Sequence, residues 1–264
     1  MYYYRSRSGS TPYDYSGFFR RMPRVIRALL VINGLIFFLQ LLFHILLRVS
    51  ALDFLIDLLP AFFQEHLFLF GHKSLLTEFL FGLVPTFVIR HLWIWQPVTY
   101  MFLHGGFGHI LFNMFTLWMF GSDMERYWGT SKFLKYYFIT GVGAALLTVA
   151  FTPTSGNPTI GASGALYGIL LAFGLTFPNR PIYIYFIIPV KAKHLVLFFA
   201  LLEFYFSWTY TGDGIAHLAH FGGMLIGYLY IKRVWRVRAI FSELKWKLKR
   251  RKFKVMDDGK DFYH

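Results

Sequence analysis

No cysteine occurs in the 264 residues, so no disulfide framework is available and cysteine usage is silent about the compartment. Charge is scarce and one-sided: Asp and Glu number 13 against 27 Lys and Arg, and charged residues make up only 15% of the chain. No HExxH motif is present, and no carboxylate lies beside the histidines at 104, 109, 217 and 220, which argues against zinc hydrolysis. Paired intramembrane Asp, the need of an aspartyl protease, is missing too. Asp123 and Asp213 lie at helix ends, and Asp53 and Asp57 fall in an interfacial stretch. No repeat of 20–50 residues is visible. The first 17 residues are polar and Tyr/Ser/Gly-rich, without the pattern of a cleavable signal peptide.

What abounds is apolar surface. Hydrophobic residues reach 56% and aromatics 21%, with 32 Phe. Several apolar runs approach the length that crosses a bilayer, which overrides the one or two soluble domains that length alone suggests. The net charge of +14 would suit a nucleic-acid partner, but the basic residues gather at the two ends of the chain. They read as cytoplasmic flanks, with no nucleic acid expected.

Residues 28–47 form an apolar run bracketed by Arg27 and Arg48. Further runs at 106–121, 133–151, 163–177, about 192–206 and 215–231 bring the expectation to six transmembrane helices. Residues 51–70 carry Asp53, Asp57, Pro60 and Glu65, which are costly to bury in lipid. They read as an interfacial segment continuing to about 103; within it, 79–89 is too short to span and holds Pro85. With both termini inside, 24 of the 27 basic residues fall on the cytoplasmic side, as the positive-inside rule requires. The expected organisation is a disordered basic N-terminus (1–24), a membrane domain (25–232) and a basic tail (233–264). The tail's KLKRRKFK (247–254) fits either anionic headgroups or a solvated topogenic flank. The fold class is an all-α membrane protein, a six-helix bundle with a large external loop between helices 1 and 2.

The run TIGASGALYGIL (159–170) raises the functional question: Ser163 is either a small packing residue or a nucleophile within a membrane. It opens a helix after the irregular TSGNPTIGA, beside free backbone N–H groups suited to developing negative charge. Its helix is short, about 22 Å against a hydrocarbon core of about 30 Å, so its start lies below the outer surface. Gly164 and Gly168 allow another backbone to come close, and Tyr167 shares a face with Ser163. A hydroxyl needs a base. Ala216, His220, Gly223 and Gly227 form a smooth stripe on the last helix, able to pack on the Gly164/Gly168 face and bring His220 to Ser163. His109 and Asn113, four apart, could hold an oxyanion with the Ser163 amide, and His104 precedes that face. With no Asp evident to orient His220, a Ser–His dyad is expected, Asp213 being a weak third candidate and His217 open between packing and dyad hydrogen bonding.

These residues resemble the rhomboid intramembrane serine proteases. The GxSGxxxG motif with Tyr four after Ser matches Gly161, Ser163, Gly164, Tyr167 and Gly168. HxxxxHxxxN matches His104, His109 and Asn113. AHxxGxxxG matches Ala219, His220, Gly223 and Gly227. Glu125-Arg126 and WQPVTYMFLH (95–104) also look typical, and the resemblance covers roughly residues 25–232. It implies a six-helix fold and hydrolysis of peptide bonds in or near transmembrane segments of protein substrates. Ser163 would be nucleophile and His220 base then acid, with Tyr167 against the His220 ring and His109, Asn113 and the Ser163 amide around the oxyanion. The loop 207–214 would cap the site and the fifth helix would gate it. No cofactor and no metal are implied. The expected location is a multi-pass position in a bacterial plasma (inner) membrane, with substrates favoured that carry small or helix-breaking residues. The alternative is a non-catalytic rhomboid-like protein that binds membrane clients. A small transporter is disfavoured, since no two similar halves carry facing broken helices.

Overall fold

A computed structural model of the chain describes residues 22–48, 76–184, 187–209 and 216–233. The expectations for the N-terminal arm, the 51–70 segment, Asp213 with most of the cap loop, and the basic tail lie outside those residues.

Helix α1 (Arg24–Arg48) has an inverted pattern for a helix in water. Its polar residues Asn33 and Gln40, about two turns apart on one face, are buried, whereas Val31, Leu35, Phe38 and Leu39 are exposed. That suits lipid outside and a polar contact inside. The buried Glu125 carboxylate starts the helix, accepting the backbone N–H of Val25 at 3.2 Å and Ile26 at 3.0 Å, while Thr130 Oγ1 donates to it at 2.9 Å. A first helical turn has no internal acceptor for these donors, so a buried acid supplies one. Glu125→Ala is therefore expected to destabilise the fold by about 1–3 kcal/mol. A thermal-unfolding series should show Glu125→Gln losing less than Glu125→Ala; equal midpoints for all three proteins would remove the capping role.

Helices α2 (Leu76–Phe81), α3 (Pro85–Arg90) and α4 (Gln96–Thr99), with a 3₁₀ turn at Tyr100–Phe102, follow. None is long enough to span, because Gly82 with Pro85 and then Pro97 reset the chain before more than six residues accumulate. Buried Gln96 ties them together, accepting Val84 N–H at 3.0 Å and donating to Phe79 O at 2.8 Å. Phe79, Phe87 and Trp93 pack beneath.

Helix α5 (Phe107–Thr116) runs through a π-helical turn at Leu117–Gly121 into α6 (Ser122–Trp128). The helix expected at 106–121 thus continues seven residues further. Its π-helical turn packs against Ile26 of α1, whose Cδ1 would stand 2.8 Å from a Cβ at Gly121. Gly129, at φ +82°, turns the chain into α7 (Thr130–Phe151). Helix α8 (Ser163–Thr176) is apolar almost all round and sits at the centre, against α7 and α5–α6.

The IYIYFIIPV run was not expected to form strands, yet β1 (Pro181–Ile184) pairs antiparallel with β2 (Ile188–Lys191), Ile182 opposite Val190. Alternating β-branched residues beside Pro181 and Pro189 favour extended chain over helix. This hairpin is a small departure from an all-α fold, and the Arg180–Asp123 ion pair at 2.9 Å secures its base to α6. Helix α9 (Ala192–Thr209) and a last helix, α10 (216–233), complete the described chain. By length and composition, α7 and residues 24–46 of α1 can cross a bilayer, and α8 is a shorter apolar helix of 14 residues.

Candidate active site

The loop before α8 is held from below. Leu83 and Thr159 exchange backbone hydrogen bonds at 2.8 and 2.9 Å, Thr86 N–H reaches Ser155 O at 3.1 Å, and Gly161 N–H reaches Tyr100 O at 2.8 Å. The short helices α2–α4 thus satisfy backbone that would otherwise be stranded at depth. Gly161 has φ +124°, a region that L side chains avoid. A Cβ there would also stand 2.8 Å from His109 Nε2 and 3.6 Å from Ser163 Oγ. The glycine keeps open the space between these two groups.

Ser163 begins α8, half-buried, and its Oγ lies 2.7 Å from His220 Nε2 on α10. Small residues produce that approach. A Cβ on Gly223 would fall 1.8 Å from Gly164 O, and one on Gly164 would meet Ala144 Cβ at 3.0 Å and Ala219 O at 3.3 Å. The two backbones therefore touch at Gly164/Gly223. Further along, the expected glycine-on-glycine face ends. Gly168 and Gly227 both close on α7 instead, a Cβ at the former meeting Thr140 at 2.7 Å and one at the latter Tyr136 Oη at 2.3 Å. The crossing is a point contact, and Thr140 and Tyr136 fill the diverging side.

Tyr167 stacks on the His220 ring, centroids 4.4 Å apart and planes 18° from parallel. Its hydroxyl donates to Glu203 Oε1 on α9. His217 Nδ1 lies 2.7 Å from Glu203 Oε2, and His220 Nδ1 lies 3.2 Å from the same oxygen. No Asp flanks His220 among the described residues, but this glutamate does. The expected dyad did not include Glu203, although an acid inside the apolar run VLFFALLEFYF is a functional signal in itself. His217 turns to Glu203 rather than to Ser163.

His109 Nδ1 accepts Gly105 N–H at 3.3 Å, which leaves the proton on Nε2, the atom facing Gly161. Asn113 is buried and donates to His109 O at 2.9 Å within its own helix, with its second amide hydrogen not used in that bond. His104, in the turn before α5, packs edge-on against His109 at 5.2 Å. Neither of its ring nitrogens has a partner among the described residues. Burial, reinforced by His109, holds its pKa down at about 4, so the ring is neutral near pH 7. Its backbone N–H reaches Gln40 Oε1 at 3.2 Å, tying the site to α1.

Glu203, His217 and His220 offer three ligand atoms within 4.8 Å of one another. The 2.7 Å spacing between Glu203 and His217 suits a shared proton. It is tighter than the roughly 3.3 Å between ligand atoms of a tetrahedral zinc centre with bonds of about 2 Å. Dialysis against a strong chelator is expected to leave activity unchanged; its loss, restored by added zinc, would make this cluster a metal centre.

A serine and a histidine within proton-transfer distance, under a loop that leads into a short buried helix, can perform acyl transfer. The family comparison matches the Rhomboid domain over residues 91–237, more than half of the chain. The chain belongs to the rhomboid family. That family is one of integral membrane proteins. This rhomboid is 31% identical over 138 residues to Rhomboid protein 1, mitochondrial, of Saccharomyces cerevisiae, covering 49% of this chain and 38% of that protein. It is 30% identical over 135 residues to Rhomboid protease GluP of Bacillus subtilis, covering 51% and 25%. With Rhomboid protease GlpG of Yersinia pestis the identity is 31% over 136 residues, covering 52% and 46%. The chain thus matches less than half the length of each of these three. Their sources range from bacteria to a mitochondrial form, so the similarity does not single out a bacterial plasma membrane.

Proposed function

We propose that this rhomboid is an intramembrane serine endopeptidase that hydrolyses peptide bonds in or near the transmembrane segments of protein substrates. The observation that carries the reading is the 2.7 Å contact between Ser163 Oγ and His220 Nε2. The Oγ proton passes to His220 Nε2 as Oγ bonds to the substrate carbonyl carbon. The carbonyl oxygen, now negative, is met by His109 Nε2–H, the free hydrogen of Asn113 and the Ser163 N–H at the start of α8. Collapse of this intermediate breaks the C–N bond, and His220 returns the proton to the leaving amine. Water then attacks the acyl carbon and gives a proton to His220; the acyl C–Oγ bond breaks, His220 returns the proton to Oγ, and the acid product leaves. No cofactor enters these steps.

The reading includes topology. Six spans, α1, α5–α6, α7, α8, α9 and α10, place both basic ends in the cytoplasm and Ser163 beneath the outer leaflet. Its partners are the bilayer and transmembrane substrates. The test is cleavage of a reporter transmembrane segment by the purified protein in proteoliposomes, with the Ser163→Ala protein alongside. Cleavage by the wild type alone is expected. Binding of the reporter by both proteins without cleavage by either would favour a client-binding function.

A further inference from the structure

We infer that Glu203 is a positioning residue for this reaction: its carboxylate holds His220 in the tautomer that leaves Nε2 free to accept the serine proton, and stabilises the imidazolium that results. The inference rests on the protease reading above and extends its dyad to a Ser163–His220–Glu203 relay.

A carboxylate buried in an apolar helix is expensive unless donors surround it. Glu203 is buried, and three polar groups converge on it from two other helices: the Tyr167 hydroxyl from α8, and the ring nitrogens His217 Nδ1 and His220 Nδ1 from α10. A hydrogen-bonded packing role would need only the first two. The third contact involves the base itself. His220 Nδ1 is buried and has no other partner among the described residues. At 3.2 Å from Glu203 Oε2 it stands in ion-pair range but out of line for a good hydrogen bond.

The proton arrangement follows from like repelling like. If His220 carried its hydrogen on Nε2, the Nδ1 lone pair would face a carboxylate oxygen. With the hydrogen on Nδ1, that contact is attractive and the Nε2 lone pair points at Ser163 Oγ. The Tyr167 stack fixes the ring plane, so neither nitrogen can swing away. His217 in turn holds Glu203, its Nδ1 at 2.7 Å. During attack the proton travels from Oγ to Nε2, Nδ1 keeps its own, and Glu203 stays ionised throughout.

Because Glu203 stands on α9 while its three contacts stand on α8 and α10, the charge reaches His220 only when α9 is seated against them. The base is thus fully oriented when α9 packs against α8 as it does in this structure.

The experiment compares wild type, Glu203→Gln and Glu203→Asp on the reporter. Gln keeps the shape and can still hydrogen-bond Tyr167 and His217, but carries no charge. A packing role predicts wild-type turnover for it. The relay predicts that Glu203→Gln lowers kcat about 10- to 100-fold with KM within about twofold, and that Glu203→Asp recovers part of the loss. If wild type and Ser163→Ala both fail to cleave, the protease reading itself falls. If wild type cleaves and Glu203→Gln matches its kcat, the relay is overturned and the protease reading stands. Should the variants not fold, nitrogen-15 NMR of histidine-labelled wild type decides: Nδ1–H on neutral His220 is expected, and Nε2–H overturns the relay.

Discussion

Ser163→Ala is expected to reduce cleavage by at least about 10⁴-fold, to the limit of detection, and His220→Ala to come close to it. The reasoning is geometric. The Oγ is the hydroxyl that His220 Nε2 meets at 2.7 Å, so removing either partner removes the same proton transfer. Effects of such a unit do not add: the double variant should be no worse than Ser163→Ala alone. Alanine at 163 makes no steric demand and leaves the α8–α10 crossing in place, so the variant should fold and bind substrate as wild type does. Single-turnover assays with matched thermal midpoints separate lost chemistry from lost structure. A Ser163→Ala protein retaining a tenth of wild-type turnover would mean another group is the nucleophile.

Gly223→Ala is expected to lower kcat about 100-fold without altering any polar group. The added carbon would lie 1.8 Å from Gly164 O, a backbone atom that cannot rotate aside. Ordinary contact is reached only if α10 backs away from α8 by more than 1 Å, by that measure. His220 rides on α10 three residues earlier and moves with it, and a displacement of about 1 Å at a reacting pair costs about 10² in rate. Overpacking adds a stability loss of about 1–3 kcal/mol. Gly222→Ala is the control. Its Cβ would meet Ala144 Cα and Leu147 Cδ1 at 3.4 Å, ordinary contact, and turnover should stay near wild type. Similar losses for both variants would point to general helix intolerance instead of the specific crossing.

The serine's partner was legible because small residues on two helices announce where backbones can meet, and only one such pair also carried a serine and a histidine. The short length of α8 was legible from Pro178 and the irregular loop ahead of Ser163. Three features were not. The hairpin at 181–191 is an apolar run whose length suits strand or helix, and pairing decides it. The divergence of Gly168 and Gly227 toward Thr140 depends on a crossing angle that side-chain spacing does not contain. Glu203 was hidden by its setting. It lies 17 residues from His220 along the chain, on a different helix, and only the packing of α9 against α8 and α10 makes them neighbours. Its charge within an apolar run is the signal the sequence offers for it.

A fluorophosphonate bonds covalently to a nucleophile, above all a serine, that a neighbouring base activates. Mass analysis of the labelled, folded protein is therefore the most direct measurement. The adduct is predicted on the peptide holding Ser163, absent in Ser163→Ala and suppressed in His220→Ala. Intact wild type that takes up no label, or label carried on a different residue, would contradict the account.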